Sequence, residues 1–459
     1  MKPKKSPIAE KQEDLFRSQL ANIINTGHSL VKLSKVVNWD ELEKAFGETF
    51  CDDNGRPGVS TQLMVALHYL KYAYNLSDED VVKGWVENPY WQYFSGMKWF
   101  EHEPPINPSS MTRWRKRISS AGAEQLLKET IESGLKLKAV KISQLKRVNV
   151  DTTVQEKDIR FPTDARLYDR ARERLVNAAQ ERKIELRQNY NRKSKQTLIQ
   201  QSLYAHAKQM KRAKKATRSL KTFLNRVIRD IRRKSPSPDR ELKDLLAVSD
   251  RIATQQRTDK NKIYSVHEPH VECISKGKAH KRYEFGCKVS VAATSRGGWF
   301  LGAQAIHGNP YDGHTLSKTL KQVERISQKP GQAFVDQGYR GHDYDGDIEV
   351  HVDKKRRGGT AKALWHWMKR RAAIEPGIGH LKQGHRMDRN RLKGEEGDRI
   401  NAILSAAGMN FRKLVKWLAD FLSFFIWQAI FSIPIGSYND IYPAGNRDMS
   451  FSGSTNHQS

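Results

Sequence analysis

The sequence predicts a mixed α/β domain that is interrupted by a helical insertion and preceded by an all-α region. Apolar residues recur at helical spacing over residues 1–130. They alternate with polar residues after residue 262, which is typical of strands. Between these two parts lies a cation-rich helical segment almost without glycine. The 459 residues are enough for two or three domains.

The charge of the chain points to a polyanion as its partner. Lysine and arginine number 81 against 51 aspartates and glutamates, a net charge of +30. Neutralising phosphates with such cations releases condensed counterions, which favours binding to nucleic acid. A merely solvated basic surface is the alternative explanation.

Three features bear on where the protein works. Cys51, Cys273 and Cys287 form no CxxC pair, which argues against a zinc finger and suits a reducing compartment. The first residues are polar and do not resemble a signal peptide. The apolar run at 421–435 is shorter than the roughly 20 residues that a membrane span needs. The expected location is the bacterial cytoplasm at the nucleoid, without membrane contact.

Residues 1–135 are predicted to be a helical DNA-binding region. The stretch "STQLMVALHYLKYAYNL" has apolar residues at helical spacing, and Ser77 with Asp80 forms a capping-box pattern. A further helix start at Ser109 precedes a short basic helix, as in helix-turn-helix modules. The cations of this helix that we expect to contact DNA are Arg113, Arg115, Lys116 and Arg117.

Residues 166–261 are predicted to be a basic helical insertion. From Arg182 to Lys234, 18 cations against 2 acids leave a net charge of +16. Leu220, Leu224 and Val227 belong to an apolar stripe that is best explained as core. The candidate contacts with the DNA backbone are Lys211, Arg212, Lys214 and Lys215.

Residues 140–165 and 262–415 are predicted to form the α/β domain, with three acids at notable positions. Asp151 follows the alternating segment "VNV" and is expected at or near the end of a strand. Asp336 ends the apolar strand "AFV", and Glu375 lies on a helix at about 361–385. An apolar helix over 416–436 and a disordered tail over 437–459 are expected to follow.

These acids suit a metal site. Carboxylates at strand ends can converge across the mouth of a sheet, and three of them match hard cations such as Mg²⁺, with Mn²⁺ as an alternative. Two such ions promote phosphodiester cleavage by activating the attacking oxygen and stabilising the leaving one.

The cations around Glu375 favour an anionic ligand. Arg371 precedes it by four residues and Lys382 follows it by seven, so an unbroken helix would place all three on one stripe. Pro376 weakens this arrangement because it removes a helical hydrogen bond. A surface salt bridge between Arg371 and Glu375 is the simpler alternative.

The acidic segments and their spacing resemble those of bacterial DDE transposases of the insertion sequence five family. The segment "IEPGIGHLKQGHRMDRNRLKG" resembles the block of the third acid, "VDQGYRG" that of the second and "VNVDTTV" that of the first. "GNPYDGHTL" and the amino-terminal helices are also similar to that family. One departure is Met368, where the family often has tyrosine.

The resemblance implies a ribonuclease-H-like fold that holds divalent metal with Asp151, Asp336 and Glu375. It further implies cleavage at terminal inverted repeats, joining to target DNA, and a homo-oligomer on DNA. Asp312 and His314 are candidates for supporting the metal ligands, and Arg340 for contacting phosphate. A nuclease or resolvase that does not join DNA, and a non-catalytic DNA-binding remnant, are the alternatives.

Overall fold

The computed structural model describes residues 18–48, 58–275, 282–353 and 362–431, with side chains described to residue 420. Cys51, the predicted disordered tail and the last residues of the apolar run lie outside these ranges. In the described ranges, no helix is both long and apolar enough to cross a membrane.

Helices form the amino-terminal part, as predicted. Their bounds are α1 Leu20–Ile23, α2 Ser29–Val36, α3 Trp39–Gly47, α4 Thr61–Ala73, α5 Asp78–Glu87, α6 Pro89–Phe94 and α7 Ser109–Lys136. The capping box of Ser77 and Asp80 opens α5. Helix α7 is broken at Ser119, which has φ 58° and ψ −168°, so the basic segment forms a short helix of its own. The backbone N–H of Ser120 after the break donates to Glu396 at 2.5 Å.

A seven-stranded mixed sheet is the centre of the α/β domain. Its strands are β1 Arg147–Lys157, β2 Glu272–Ser275, β3 Tyr283–Thr294, β4 Phe300–Ile306, β5 Gln332–Val335, β6 Glu349–Val352 and β7 Arg389–Asn390. The order is β2-β3-β1-β5-β6, with β4 on β3 and β7 on β1. Strand β1 is antiparallel to β3 and parallel to β5, and β5 is parallel to β6.

The helices around the sheet complete the domain. Their bounds are α8 Ile142–Leu145, α13 Leu316–Ile326, α14 Lys362–Arg370, α15 Ile374–Gly384 and α16 Gly394–Phe431. The expected apolar helix over 416–436 is not a separate element up to Phe431, because α16 runs on without a break.

The insertion consists of four helices, α9 Asp164–Glu181, α10 Asn191–His206, α11 Met210–Lys234 and α12 Arg240–Thr254. They enclose a hydrophobic cluster of their own, which includes Leu175, Leu224 and Leu246. A second, larger cluster runs from the amino-terminal helices through the sheet to α16. Tyr69 of α4 stacks on Phe411 of α16 with ring centroids 4.9 Å apart. The amino-terminal helices and the sheet therefore share one core.

Candidate active site

Two of the three predicted acids lie side by side on neighbouring strands. Asn149 of β1 pairs with Phe334 of the parallel strand β5. Asp151 and Asp336 each follow two residues later, so both reach the same level of the sheet on the same face. Asp151 also acts electrostatically on Tyr339, which lies in the turn directly after Asp336. Burial of Tyr339 raises the pKa of its hydroxyl well above the ordinary value, and the charge of Asp151 raises that pKa further.

The expectation that Asp151 ends its strand is wrong. Strand β1 continues to Lys157, so Asp151 lies in its interior. The β-branched residues Thr152, Thr153 and Val154 extend the strand, since they pair with Ser290, Val289 and Lys288 of β3. Asp336, in contrast, does follow the last residue of β5, and its carboxylate accepts the N–H of Gly338 at 3.0 Å to cap the turn.

A further acid, Asp353, reaches the same edge. Val352 of β6 pairs with Val335 of β5, and Asp353 follows β6 as Asp336 follows β5. The N–H of Asp353 donates to the carbonyl of Val335 at 2.9 Å. Asp353 is not among the acids predicted from the sequence, although "VHVD" repeats the pattern of "VNVD", an alternating segment followed by aspartate.

The acids concentrate negative charge around Asp336. Burial raises the pKa of its carboxyl above the ordinary value, and Asp312 and Asp353 raise that pKa further. Arg371 and the N–H of Gly338 act in the opposite direction. Ionisation of this carboxyl therefore has an electrostatic cost, which a nearby cation would relieve.

Glu375 is held over the same face of the sheet. Buried Asn149 donates from Nδ2 to the carbonyl of Arg370 at 2.8 Å, and it accepts from Ser295 Oγ at 2.7 Å. Because alternate residues of a strand share a face, this bond fixes the chain before Glu375 above Asp151.

The segment that carries Glu375 is not one continuous helix. A short 3-10 turn at Arg371–Ala373 separates α14 from α15. The break comes before Pro376, which occupies the first turn of α15, where the missing N–H has no helical partner to lose. The contact between Arg371 and Glu375 persists nevertheless, at 3.4 Å.

Arg371 therefore has two acidic partners at this edge. Its Nε is 3.8 Å from Asp353 Oδ2 and its Nη2 is 3.4 Å from Glu375 Oε1. The Arg371 side chain is 15% exposed, whereas that of Glu375 is 59% exposed. The guanidinium thus lies between the carboxylates of Asp353 and Glu375.

The donor chemistry of Asp151, Asp336 and Glu375 fits a hard divalent cation, but their oxygens are not gathered to ligand distance. Among the described residues, two groups bring three donor atoms within 4.8 Å of one another, and neither includes these acids. For Glu375 to join Asp151 and Asp336 at an ion, its carboxylate has to leave Arg371.

The predicted supporting residues differ in their surroundings. Asp312 is half-buried near Asp336, and it accepts from Lys288 Nζ at 2.8 Å, a lysine that is itself buried. His314 is exposed, and its ring lies edge-on to Tyr311.

The two remaining cations of the candidate site lie on different elements. Arg340 is exposed, and its carbonyl accepts from Tyr311 Oη at 2.9 Å. Lys382 of α15 lies 3.8 Å from Glu284, near the start of β3. Lys382 therefore reaches a different part of the sheet from the acids, and the predicted stripe with Arg371 and Glu375 is not formed at one place.

The basic helix of α7 divides into exposed and buried cations. Arg113, Lys116 and Arg117 are exposed, as a DNA-binding surface requires. Arg115 is only 3% exposed and makes a two-pronged contact with Asp78 at 2.6 and 2.9 Å. The prediction that Arg115 contacts DNA is therefore wrong in this structure. The buried guanidinium is paired with the carboxylate of Asp78, which also accepts from Lys71 Nζ at 2.7 Å.

The predicted cations of the insertion are all at the surface. Helix α11 buries Ala213, Ala216 and Leu220 against the other helices of the insertion. The exposed positions on its first turns are Lys211, Arg212, Lys214 and Lys215. Arg212 lies over the ring of Tyr204 at 5.8 Å and donates to Gln209 at 3.0 Å.

Comparison with known proteins agrees with this arrangement. Residues 18–117 match the family model of a transposase domain, DUF772, and residues 253–411 match that of the transposase DDE domain. A Rhizobium meliloti protein, described as uncharacterized protein ORF8 in the nfe locus, is 50% identical over 198 residues. The match covers 43% of this chain and 95% of the relative. No solved structure matches the chain.

A mixed sheet that carries acids at one edge, together with these matches, defines an enzyme that acts on DNA. The chain belongs to the DDE transposases. The predicted membership of the DDE transposases and the mixed α/β class are thereby confirmed, and DNA binding and use of a divalent metal follow as properties of these transposases.

Proposed function

We propose that the protein is a transposase of the insertion sequence five family, which cuts DNA at the terminal inverted repeats of its element and joins the ends to target DNA. The observation that carries the proposal is the parallel register of β1 and β5, which aligns Asp151 with Asp336. Asn149 holds the segment before Glu375 over the same face. In this proposal the catalytic domain has the ribonuclease-H-like fold, and these three acids are the catalytic residues.

The proposed cofactor is Mg²⁺, with Mn²⁺ as a substitute, held by Asp151, Asp336 and Glu375. When bound, it would activate the attacking oxygen and stabilise the leaving one. Asp353 borders this position and would add to its negative charge. The charge around Asp336 supports the assignment, because a cation would offset the repulsion among these acids.

The surrounding cations would hold the DNA. Arg371 would leave Glu375 and turn to a phosphate when DNA arrives, since its contact distance of 3.4 Å is long for a charged hydrogen bond. Arg340 would contact phosphate next to Asp336, and Lys382 would contact the backbone further along the duplex. Asp312, fixed by Lys288, would orient the turn after Asp336, and the exposed His314 would be a weaker contributor.

Two further surfaces would bind duplex DNA. Arg113, Lys116 and Arg117 of α7 would read the terminal repeats, within an amino-terminal region over 1–135. The insertion over 166–261 would bind the phosphate backbone through Lys211, Arg212, Lys214 and Lys215. The catalytic domain would comprise 140–165 and 262–415. Bringing two element ends together calls for at least two copies of the chain, and the work would be done at the nucleoid in the cytoplasm.

The test is a cleavage and joining assay with the full chain, Mg²⁺ and DNA that carries the element's ends. We expect cuts at the repeats and joined products. Asp151→Asn, Asp336→Asn and Glu375→Gln should each slow cleavage by more than about 100-fold, since metal catalysis supplies several kcal/mol. End binding should persist in all three variants.

The matched control is Asp345→Asn, because Asp345 is an exposed aspartate on the loop after Asp336. It should cut at the wild-type rate. Cleavage without joined products would identify a nuclease or resolvase instead. If the wild type and the variants all bind DNA without metal and none of them cleaves it, the protein is a DNA-binding remnant of a transposase.

A further inference from the structure

A second polar cluster lies at the other end of β1, away from the candidate active site. It joins His270 before β2, His307 after β4 and Asp398 near the start of α16. The Nε2 atoms of His270 and His307 lie 3.2 and 3.0 Å from Asp398 Oδ2. Lys157 of β1 also belongs to the cluster, and its six-residue separation from Asp151 corresponds to about 20 Å along the strand.

The two oxygens of Asp398 have different partners. Oδ1 accepts from Lys157 Nζ at 2.8 Å and from Asn390 Nδ2 at 2.6 Å. Oδ2 is left to the two histidines. The carboxylate is therefore held in place from one side, and its other oxygen is directed at two imidazole nitrogens.

Three donor atoms of this cluster lie close enough to share one ion. The Nε2 atoms of the two histidines and Oδ2 of Asp398 are all within 4.8 Å of one another. The separations of 3.0 and 3.2 Å between this oxygen and the two nitrogens are those of neighbouring ligands around one ion, when each metal–ligand bond is about 2.0–2.1 Å. Glu268 borders the cluster, since its Oε2 is 3.3 Å from His270 Nε2 and 3.2 Å from Lys157 Nζ.

Carboxylates outnumber lysines around this cluster. Besides Asp398 and Glu268, Glu272 points at the segment after His307, where its Oε1 accepts the N–H of Gly308. Glu272 Oε2 is buried and has no hydrogen-bond partner. If both imidazoles are neutral, as metal-bound imidazoles are, these three carboxylates and the ammonium of Lys157 leave two negative charges, and uncompensated charge in a protein interior is costly. A divalent cation would balance this excess.

We propose that His270, His307 and Asp398 form a structural site for a divalent transition-metal ion of the Zn²⁺ type. Two imidazoles and a carboxylate suit such an ion, whereas the all-carboxylate set of the active site suits Mg²⁺. The three ligands come from three parts of the chain: the segment that returns from the insertion, the end of β4 and the start of α16. The ion ties the base of the insertion to the catalytic domain.

The experiment uses the full chain, stripped with a chelator and titrated with Zn²⁺ in the absence of DNA. We expect one tightly bound equivalent by elemental analysis and a rise in Tm. His270→Gln and His307→Gln should each weaken binding by more than about 100-fold, beyond the effect of a lost outer partner. The matched control is His267→Gln, which changes an exposed histidine on the same segment and should bind as wild type.

Two further measurements keep the result decisive. Asp336→Asn should keep its zinc, because it changes the other site, and loss of the ion in that variant would overturn the proposal. Co²⁺ bound to the wild type should give the visible absorption of a four-coordinate site, which Zn²⁺ displaces. Absence of that spectrum and of a bound equivalent would mean that the histidines only donate hydrogen bonds to Asp398.

Discussion

At the scale of single residues, the main feature of the candidate active site is the repulsion between neighbouring carboxylates. Asp151 and Asp336 are neighbours through strand register, and Asp353 follows from the next pairing. Arg371 offsets part of their repulsion, but burial and the other acids dominate at Asp336, whose pKa is raised. The fold thus disfavours ionisation of this carboxyl in the absence of a cation, which is expected of a metal site.

This charge predicts an effect on stability. Since the pKa of Asp336 is higher in the folded than in the unfolded chain, ionisation disfavours folding, and stability falls as pH rises through the folded pKa. Asp336→Asn should therefore have a higher Tm than wild type at pH 7 in chelator. The gain should vanish below about pH 4, where the unfolded carboxyl is also protonated. Asparagine keeps the cap on Gly338, so the turn is preserved.

The measurement is thermal unfolding from pH 3 to 8 of the wild type, Asp336→Asn and Asp345→Asn. The exposed control should follow the wild type throughout. A lower Tm for Asp336→Asn at pH 7 would show that the carboxylate stabilises the fold, contrary to the charge argument.

At the scale of elements, α11 separates its two roles around its axis. One side packs Leu220, Leu224 and Val227 into the core of the insertion, and the other exposes cations. Such a row of cations can contact the phosphates along a duplex without recognising the base sequence. This arrangement assigns α11 to affinity and leaves specificity to other elements.

Neutralising the exposed cations of α11 should lower DNA affinity equally for all sequences. The variant replaces Lys211, Arg212, Lys214 and Lys215 with glutamine. Each lost phosphate contact should reduce the slope of log K against log salt by about 0.9, so the total should approach about 3.6. Affinity would be measured by fluorescence anisotropy over a salt series, with repeat and scrambled duplexes.

The control removes the same charge from exposed lysines on other helices, namely Lys35, Lys44, Lys318 and Lys321. Its salt slope should change by less than that of the α11 variant. Equal slopes in the two variants would mean that only net charge matters and that α11 has no particular contact with DNA.

The sequence predicted elements better than it predicted exposure. Alternation locates β1 and an apolar run locates β5, and with them the first two acids, but the pairing with β3 that lengthens β1 beyond Asp151 is a long-range contact. The run of cations predicts a surface position for Arg115, yet this residue lies between Met111 and Ile118 at helical spacing on the buried face. The partner that makes this burial tolerable is Asp78, a contact that no local pattern reveals.

The second polar cluster shows the same limit. His270, His307 and Asp398 are far apart in sequence, and only the topology of the sheet and α16 brings them together. In contrast, Asp353 has a local signal, because "VHVD" repeats the pattern of aspartate after an alternating segment that marks Asp151.

At the scale of the whole molecule, helix α16 connects the amino-terminal helices with the sheet, two parts that are separate in the sequence. It packs against the amino-terminal helices on one side and the sheet on the other. Tyr72 of α4 donates to Asn401 at 2.9 Å, and Asn410 donates to the carbonyl of Phe300 at 2.8 Å. The proposed DNA-reading region and the catalytic domain are thus built on one core, whereas the insertion has its own. A rigid connection of this kind would fix the repeat-binding helix relative to the acids.

The two cores should respond separately to cavities. Phe411 is 1% exposed and stacks on Tyr69, so Phe411→Ala should cost about 3–5 kcal/mol. Hydrogen exchange should then accelerate together in α4, α7 and β4, which surround this core. Leu224→Ala in the insertion should cost about 2–5 kcal/mol and accelerate exchange in α9, α11 and α12 instead. Hydrogen-exchange mass spectrometry of the full chain separates these patterns. If Phe411→Ala left α4 protected while β4 opened, the amino-terminal helices would be an independent unit, and the fixed geometry between repeat reading and cleavage would have to come from the bound DNA.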